Sequence, residues 1–538
     1  MADGAEAKFG ERLIGTLIDA HAANDPTRVW ASIPVDNDDL SHGYQDISYR
    51  QFSNAINHAA WWLKDQLGTK GNRVETLAYA GPKDLRYPII AVAALKLEKK
   101  ILFCSPFATV ESQHHLLSST KASVYLHARE LGPLIRSVVG ENSRISTLEV
   151  PEQPKWLFGD IAPYYPYIKT WEEAYADPWI IFHTSGTTGL PKPIIYTNWM
   201  MSTFDRAELM PHDYDETMCD QFRNKRFYVS MAMLHFVGMT AALQWTTFLN
   251  MVLVVAPPMN NTASQTIQVL QESKAEGAIM VPSQITDVFR TPLGLETLRR
   301  LGYLYFAGAP LSKAVAEKLV GHVKVQPAMG TTEAGAYWIE IRNEDDWDYY
   351  QFRAGNGMVM VPRTDTLCEL IFKRQSQFAR WQQIFHLHPH LDEFTTKDLW
   401  ARHPTRPNLW RYSGRADDLV NLTHGESLYA TPLETVIQEH PDIQTVIIGG
   451  EGRKRPFVMI EFGERASVSE KSKEAKLESV WPYIEQANEK CADVVKISRE
   501  HVLFTNPAQR LPQTVKNTVL RTSAIALYES EIDRLYNS

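Results

Sequence analysis

Cysteine is scarce in this 538-residue sequence: Cys104, Cys219, Cys368 and Cys491 stand far apart and never form a Cys-x-x-Cys pair. That excludes a disulfide-stapled scaffold and a zinc site of the usual spacing, and it fits a reducing compartment. No stretch approaches the roughly 18 consecutive apolar residues that read as a membrane span. The opening MADGAEAKFGERL places Glu6, Lys8, Glu11 and Arg12 where a secretory peptide needs an apolar run. A cytoplasmic location with no membrane partner is therefore expected. A basic field is missing as well: the net charge is −8 and the pI near 6.1, which leaves no electrostatic footprint for nucleic acid. Internal repeats and low-complexity linkers are also absent.

What remains is ordinary for a soluble globular protein, 44% apolar and 22% charged. Its 14 tryptophans are consistent with large buried or ligand-lined surfaces, though core packing alone would account for them. The length is too great for one ordinary core, so at least two domains are expected. Phe52, Ile56, Ala59, Leu63 and Leu67 recur at helical spacing, and Gly68 ends the pattern. Strand-like runs follow at Arg226–Ser230, Met251–Val255, Ala278–Val281 and Tyr303–Phe306. Helical segments alternate with them at Ser264–Glu276 and from Ser312. Such alternation predicts an α/β fold of mixed or parallel sheets covered by helices. After Tyr412-Ser413-Gly414 come β-rich runs at Thr445–Ile448 and Phe457–Phe462 and a helix near Glu474–Lys490. The expected division is a large domain over residues 1–414 and a small mobile α/β lid over residues 415–538.

The sharpest local signal is Ile180-Ile181-Phe182-His183-Thr184-Ser185-Gly186-Thr187-Thr188-Gly189-Leu190-Pro191-Lys192. A buried β-run delivers a loop with two glycines, four hydroxyls and a lysine. Glycines let backbone amides approach phosphate oxygens, hydroxyls add donors, and Lys192 adds positive charge. The spacing is not that of a Walker A loop, and taken alone the segment could be a polar surface turn.

The string resembles the phosphate loop of the adenylate-forming superfamily, which includes acyl-CoA synthetases, luciferases and peptide-synthetase adenylation domains. Other segments resembling that superfamily follow in its order. Met233-Leu234-His235-Phe236-Val237-Gly238 resembles the gating segment beside the acid pocket, although a lone His235 would more often be a core histidine. Gly308-Ala309-Pro310 resembles the turn lining the nucleotide and acyl pockets. Gly330-Thr331-Thr332-Glu333 resembles a G-x-T-E motif, which implies Thr332 at the α-phosphate and Glu333 on Mg²⁺; Met329 stands where an adenine-stacking aromatic is usual. Thr396-Lys397-Asp398-Leu399 is similar to T-G-D-L with lysine in place of glycine, implying Asp398 on the ribose. Gly414-Arg415-Ala416-Asp417-Asp418 resembles the G-R-x-D-D hinge, with Arg415 at the ribose and Asp417 as pivot. The ending Pro512-Gln513-Thr514-Val515-Lys516 resembles the catalytic-lysine motif, with Val515 where glycine is common.

The resemblance implies an ATP- and Mg²⁺-dependent ligase that joins a carboxylic acid to AMP, with Lys516 offsetting charge as two anions meet. Residues 105–117 and 421–434, with the compact ending, resemble fungal non-canonical adenylation modules of the carboxylic acid reductases. That branch implies a phosphopantetheine thiol on a carrier domain as acceptor, with a reductase domain as the further partner. Peptide-synthetase domains for α-amino acids carry an Asp after the His-Phe pair. Val237 here would strand a buried ammonium, so an aryl or other non-amino acid is expected, with a quaternary-ammonium acid in an aromatic cage as the lesser option. The sequence shows no carrier serine segment and no reductase fingerprint, so an excised or stand-alone first domain is expected. Free CoA as acceptor, or a degenerate module that holds an acyl-adenylate without making it, are the competing readings.

Overall fold

The computed structural model describes residues 8–537 except 69–74, 141–143, 186–189, 215, 259–261, 417–418, 425, 464–471, 490 and 513–518. Two compact units emerge, Met1–Met358 with Lys373–Phe394, and Val359–Phe372 with Thr395–Ser538.

Two sheets build the larger unit. One runs in the order 324–328, 303–307, 277–280, 226–229, 252–254, 29–34, 44–48, parallel except for its last pair. The other runs 146–149, 122–127, 76–80, 100–103, 178–185, 191–197, again antiparallel only at its last pair. Parallel strands need crossovers, and those crossovers supply the helices that cover the faces. The helix expected from the Phe52–Leu67 spacing spans Tyr49–Leu67. It starts one turn earlier because Ser48 and Gln51 form a reciprocal capping box, and it stops at Gly68, whose positive φ of +49° suits a residue without Cβ. Its inner face buries Phe52, Ile56, Ala59 and Leu63 completely, with Phe52 stacked on Trp30 at 3.5 Å. The buried tryptophans find acceptors: Trp30 Nε1 donates to Ala242 O at 3.0 Å and Trp179 Nε1 to Ala91 O at 2.7 Å. The other expected strands lie at Arg226–Val229, Val252–Val254, Gly277–Met280 and Tyr303–Ala307. The helix expected from Ser312 is a single turn, Lys313–Ala316, with Ser312 as its N-cap.

The second unit carries the antiparallel strands Leu367–Lys373, Glu393–Arg402 and Trp410–Arg415. Downstream, a three-stranded sheet joins Ile443–Gly449, Phe457–Phe462 and Val502–Phe504. Helices Ala430–Ile437 and Lys473–Asn488 close a core of Val458, Ile460, Ile484 and Ala487. Among the described residues, no helix is long and apolar enough to cross a membrane.

Candidate functional site

The segments singled out in the larger unit follow the carboxyl ends of parallel strands, where open α/β sheets place their ligands. Met233–Gly238 follows Arg226–Val229, Gly308–Pro310 follows Tyr303–Ala307, and Met329–Glu333 follows Lys324–Ala328. The phosphate-loop sequence connects the two arms of an antiparallel strand pair. These arms are Pro178–Ser185 and Pro191–Thr197, with Thr184 opposite Lys192 and Ser185 opposite Pro191. Lys192 is exposed, Thr184 is half-buried, and Gly186, Thr187, Thr188 and Gly189 lie outside the described residues.

A second, tighter hairpin pairs Gly330–Thr331 with Gly335–Ala336. Both glycines are dictated by space. A Cβ on Gly330 would meet Gly335 O at 2.5 Å, and Gly335 sits at φ +75°. Between them, Thr331 Oγ1 accepts from Ala334 N at 3.0 Å, and the turn presents Glu333. The Glu333 carboxylate accepts a hydrogen bond from Thr184 Oγ1 at 3.2 Å, across 149 residues of sequence. Thus the hydroxyl arm of one loop and the acid of the other meet.

His235 caps the short helix Phe236–Thr240, is half-buried, and donates its backbone N–H to Ala232 O at 3.0 Å. Gly238 is obligatory here, because a Cβ would lie 2.3 Å from Ala232 O. Val237 is half-buried beside it. The chain continues into a buried π-helical turn, Ala241–Trp245, a local irregularity often found at functional sites. Gly308 takes φ +90° in open space, and Ala309 and Pro310 are exposed. Met329 is half-buried and its carbonyl accepts from Tyr337 N at 2.9 Å, while Thr332 is buried.

Sequence reasoning missed Lys83. It lines a cavity with Ser230, Met231, Met233, Gly238 and Val255, directly beside the gating segment. Burial strips water from its ammonium and lowers its pKa. No spacing or motif around Gly81-Pro82-Lys83 signals this, since the neighbours come from strands about 150 residues away.

Within the second unit, Asp398 and Arg415 are cross-strand partners, 3.8 Å apart, with the Asp398 side chain buried. Thr396 Oγ1 accepts from Asp398 N at 3.0 Å and donates to Leu370 O at 2.8 Å, which braces this part of the strand Glu393–Arg402. Lys397, the lysine at the motif's glycine position, holds φ +62°. Asp417 and Lys516 lie outside the described residues.

Comparison with known proteins gives this geometry its context. A family model described as AMP-binding enzyme matches residues 19–362, and a second, AMP-binding enzyme C-terminal domain, matches residues 417–538. The chain belongs to the AMP-binding enzyme family. It is an ATP-dependent adenylate-forming enzyme. Among relatives, a carboxylic acid reductase of Neurospora crassa is 28% identical over 551 residues, covering 100% of this chain and 52% of that protein. An isocyanide synthase–NRPS hybrid of Aspergillus fumigatus is 30% identical over 544 residues, covering 100% of this chain and 34% of the relative. The chain thus spans between a third and about half the length of these relatives. Its fold is shared by an anthranilate CoA ligase solved with anthranoyl-AMP, at a TM-score of 0.71 and 15% identity over 95% of this chain and 97% of that one. Fatty acyl-adenylate ligases share it at 0.75 and 12% identity over 98% and 99%.

Proposed function

We propose that this chain activates an aryl or other non-amino carboxylic acid and passes it to the phosphopantetheine thiol of a carrier domain, ahead of a reductase domain. A carboxylate oxygen of the acid attacks the α-phosphorus of ATP. The new acyl–phosphate bond forms as the bond to the bridging oxygen breaks and pyrophosphate departs. The thiol sulfur then adds to the acyl carbon, AMP leaves with the electron pair, and the thiol proton passes to solvent. Positioning and charge stabilisation carry the first step.

The observation that carries this reading is the hydrogen bond of Thr184 to Glu333, which links the hydroxyl loop to the acidic turn. A half-buried single carboxylate with a hydroxyl beside it suits Mg²⁺, which takes few protein ligands and keeps waters and phosphates. Glu333 would hold the ion, which when bound neutralises charge between the phosphates. Thr184, Ser185 and the amides of Gly186–Gly189 would bind the leaving phosphates with Lys192, and Thr332 the α-phosphate. Gly308, Ala309, Pro310, Met329, Gly330 and Thr331 would shape the nucleotide and acyl walls beside His235. Asp398 and Arg415 would serve the ribose. In this reading residues 1–414 are the core and 415–538 a lid that brings Lys516 to the acid and turns about Asp417. A cytoplasmic setting suits both ATP and the free thiol acceptor. Acid choice follows Val237, which offers no partner for an ammonium. The names of several relatives, adenylate-forming reductases of fungi among them, support the carrier-and-reductase context.

Acid-dependent exchange of pyrophosphate into ATP tests the reading across aryl, fatty and betaine-like acids. Wild type is expected to exchange, and Lys516→Ala to lose at least about a hundredfold, as for removal of a strong electrostatic catalyst. Equal exchange by both proteins rejects the assigned lysine, and no exchange with any acid favours a degenerate adenylate-holding module. Thioester formation on a carrier domain but not on free CoA separates the proposal from an acyl-CoA ligase.

A further inference from the structure

The Thr184–Glu333 contact depends on where the turn bearing Glu333 sits, and two side chains outside every motif hold that turn. Tyr196 lies on the return arm of the phosphate-loop hairpin, fully buried, paired in register with Ile180. Its hydroxyl donates to Thr332 O at 2.7 Å and accepts from Gln383 Nε2 at 2.6 Å. Gln383, 1% exposed, also directs Nε2 toward Glu333 O at 3.5 Å. The carbonyls on both sides of the Glu333 Cα are therefore held, one by the phenol and the other by the amide. The same amide lies where a side chain on Gly335 would be, 3.0 Å from that position. Burial pushes the Tyr196 phenol far above its usual range, so it stays protonated and a donor at any working pH. Its ring is wedged edge-on against Phe182 at 5.0 Å, which leaves the hydroxyl one direction to point.

We infer that Tyr196 and Gln383 are positioning residues for the metal-holding carboxylate: they lock the acidic turn to the hairpin that carries the phosphate loop. The inference rests on the reading of Glu333 as the Mg²⁺ ligand. An outer partner of this kind acts on ligand orientation, and its loss costs metal affinity more than fold. Tyr196→Phe keeps the ring packing and removes only the hydroxyl, leaving Thr332 O without its donor.

The test measures acid-dependent pyrophosphate exchange in the 538-residue chain against Mg²⁺ concentration. Tyr196→Phe and Gln383→Leu are each expected to raise the Mg²⁺ requirement and the KM for ATP by about 10-fold or more. The KM for the acid and the exchange rate at saturating Mg²⁺ should move less than threefold. Glu333→Gln is the reference. If it leaves the Mg²⁺ requirement unchanged, the reading of Glu333 fails, whatever Tyr196 does. If it shifts that requirement and Tyr196→Phe does not, the positioning role alone is overturned. In the Glu333→Gln background, Tyr196→Phe should add less than about twofold, because the two act through one group. A full additional shift there also overturns the inference, as does a lowered rate with all three substrate requirements unchanged.

Discussion

At the scale of single residues, the departures from the family pattern have different physical standing. Lys397 replaces a glycine at φ +62°, a left-handed position where an L side chain costs roughly 1–2 kcal/mol. Lys397 lies inside the strand Glu393–Arg402, at a local kink beside the bonds of Thr396 Oγ1 to Asp398 N and Leu370 O. Comparing Lys397→Gly with Lys397→Ala isolates the backbone from the lost side chain. The glycine variant should be the more stable by about 1 kcal/mol in urea unfolding, the left-handed strain outweighing the extra chain entropy of glycine. Equal stabilities would show that this kink relaxes. Glu333 and Thr184 were legible as residue types, since a carboxylate and a hydroxyl loop suit a metal and a triphosphate. Tyr196 was not legible, because nothing local tells which carbonyl its hydroxyl will reach.

Elements show where local pattern suffices and where it fails. The helix over Tyr49–Leu67 was readable because its apolar period, its capping box and its terminal glycine agree. The return arm Pro191–Thr197 was not, because prolines at 191 and 193 argue against a central strand. It is the outermost strand of its sheet, the place where missing amide donors are tolerated. The irregular stretch between residues 158 and 170 has no periodic signal either, and an ion pair between a buried lysine and a half-buried aspartate holds it. Lys96, its side chain fully buried, bonds both oxygens of Asp19 at 2.9 Å and donates to Tyr165 O at 3.1 Å. Lys96→Met should destabilise the larger unit by about 1–3 kcal/mol, since the half-buried Asp19 carboxylate loses its ammonium and keeps only the hydroxyls of Ser53 and Tyr164 as donors. The double variant Lys96→Met with Asp19→Asn should recover much of that loss in chemical denaturation. If it does not, the pair is held by packing rather than charge.

For the whole molecule, two compact units with separate cores predict that heating will not give a single two-state transition. Calorimetry that fits one transition with equal calorimetric and van't Hoff enthalpies would contradict this. Ligand linkage adds a second expectation. ATP with Mg²⁺ at a hundred times its dissociation constant should stabilise the chain by about 2.7 kcal/mol, read as a rise in melting temperature. Glu333→Gln should lose the Mg²⁺-dependent part of that rise while keeping the part due to nucleotide alone. A shift identical in both proteins would detach Glu333 from the metal.

Chemical identity, order along the chain and period were determined by sequence alone: which hydroxyls, carboxylates and cations exist, in what succession, and which stretches alternate or wind. These depend on short-range propensity and on the residue types that a triphosphate demands. The meeting of Thr184 with Glu333, the bracing of that turn by Tyr196 and Gln383, and the placing of Lys83 at a cavity were decided only by tertiary structure. A hydrogen bond forms within about 3 Å, and which atoms come that close depends on how distant strands return beside one another, which no local pattern encodes.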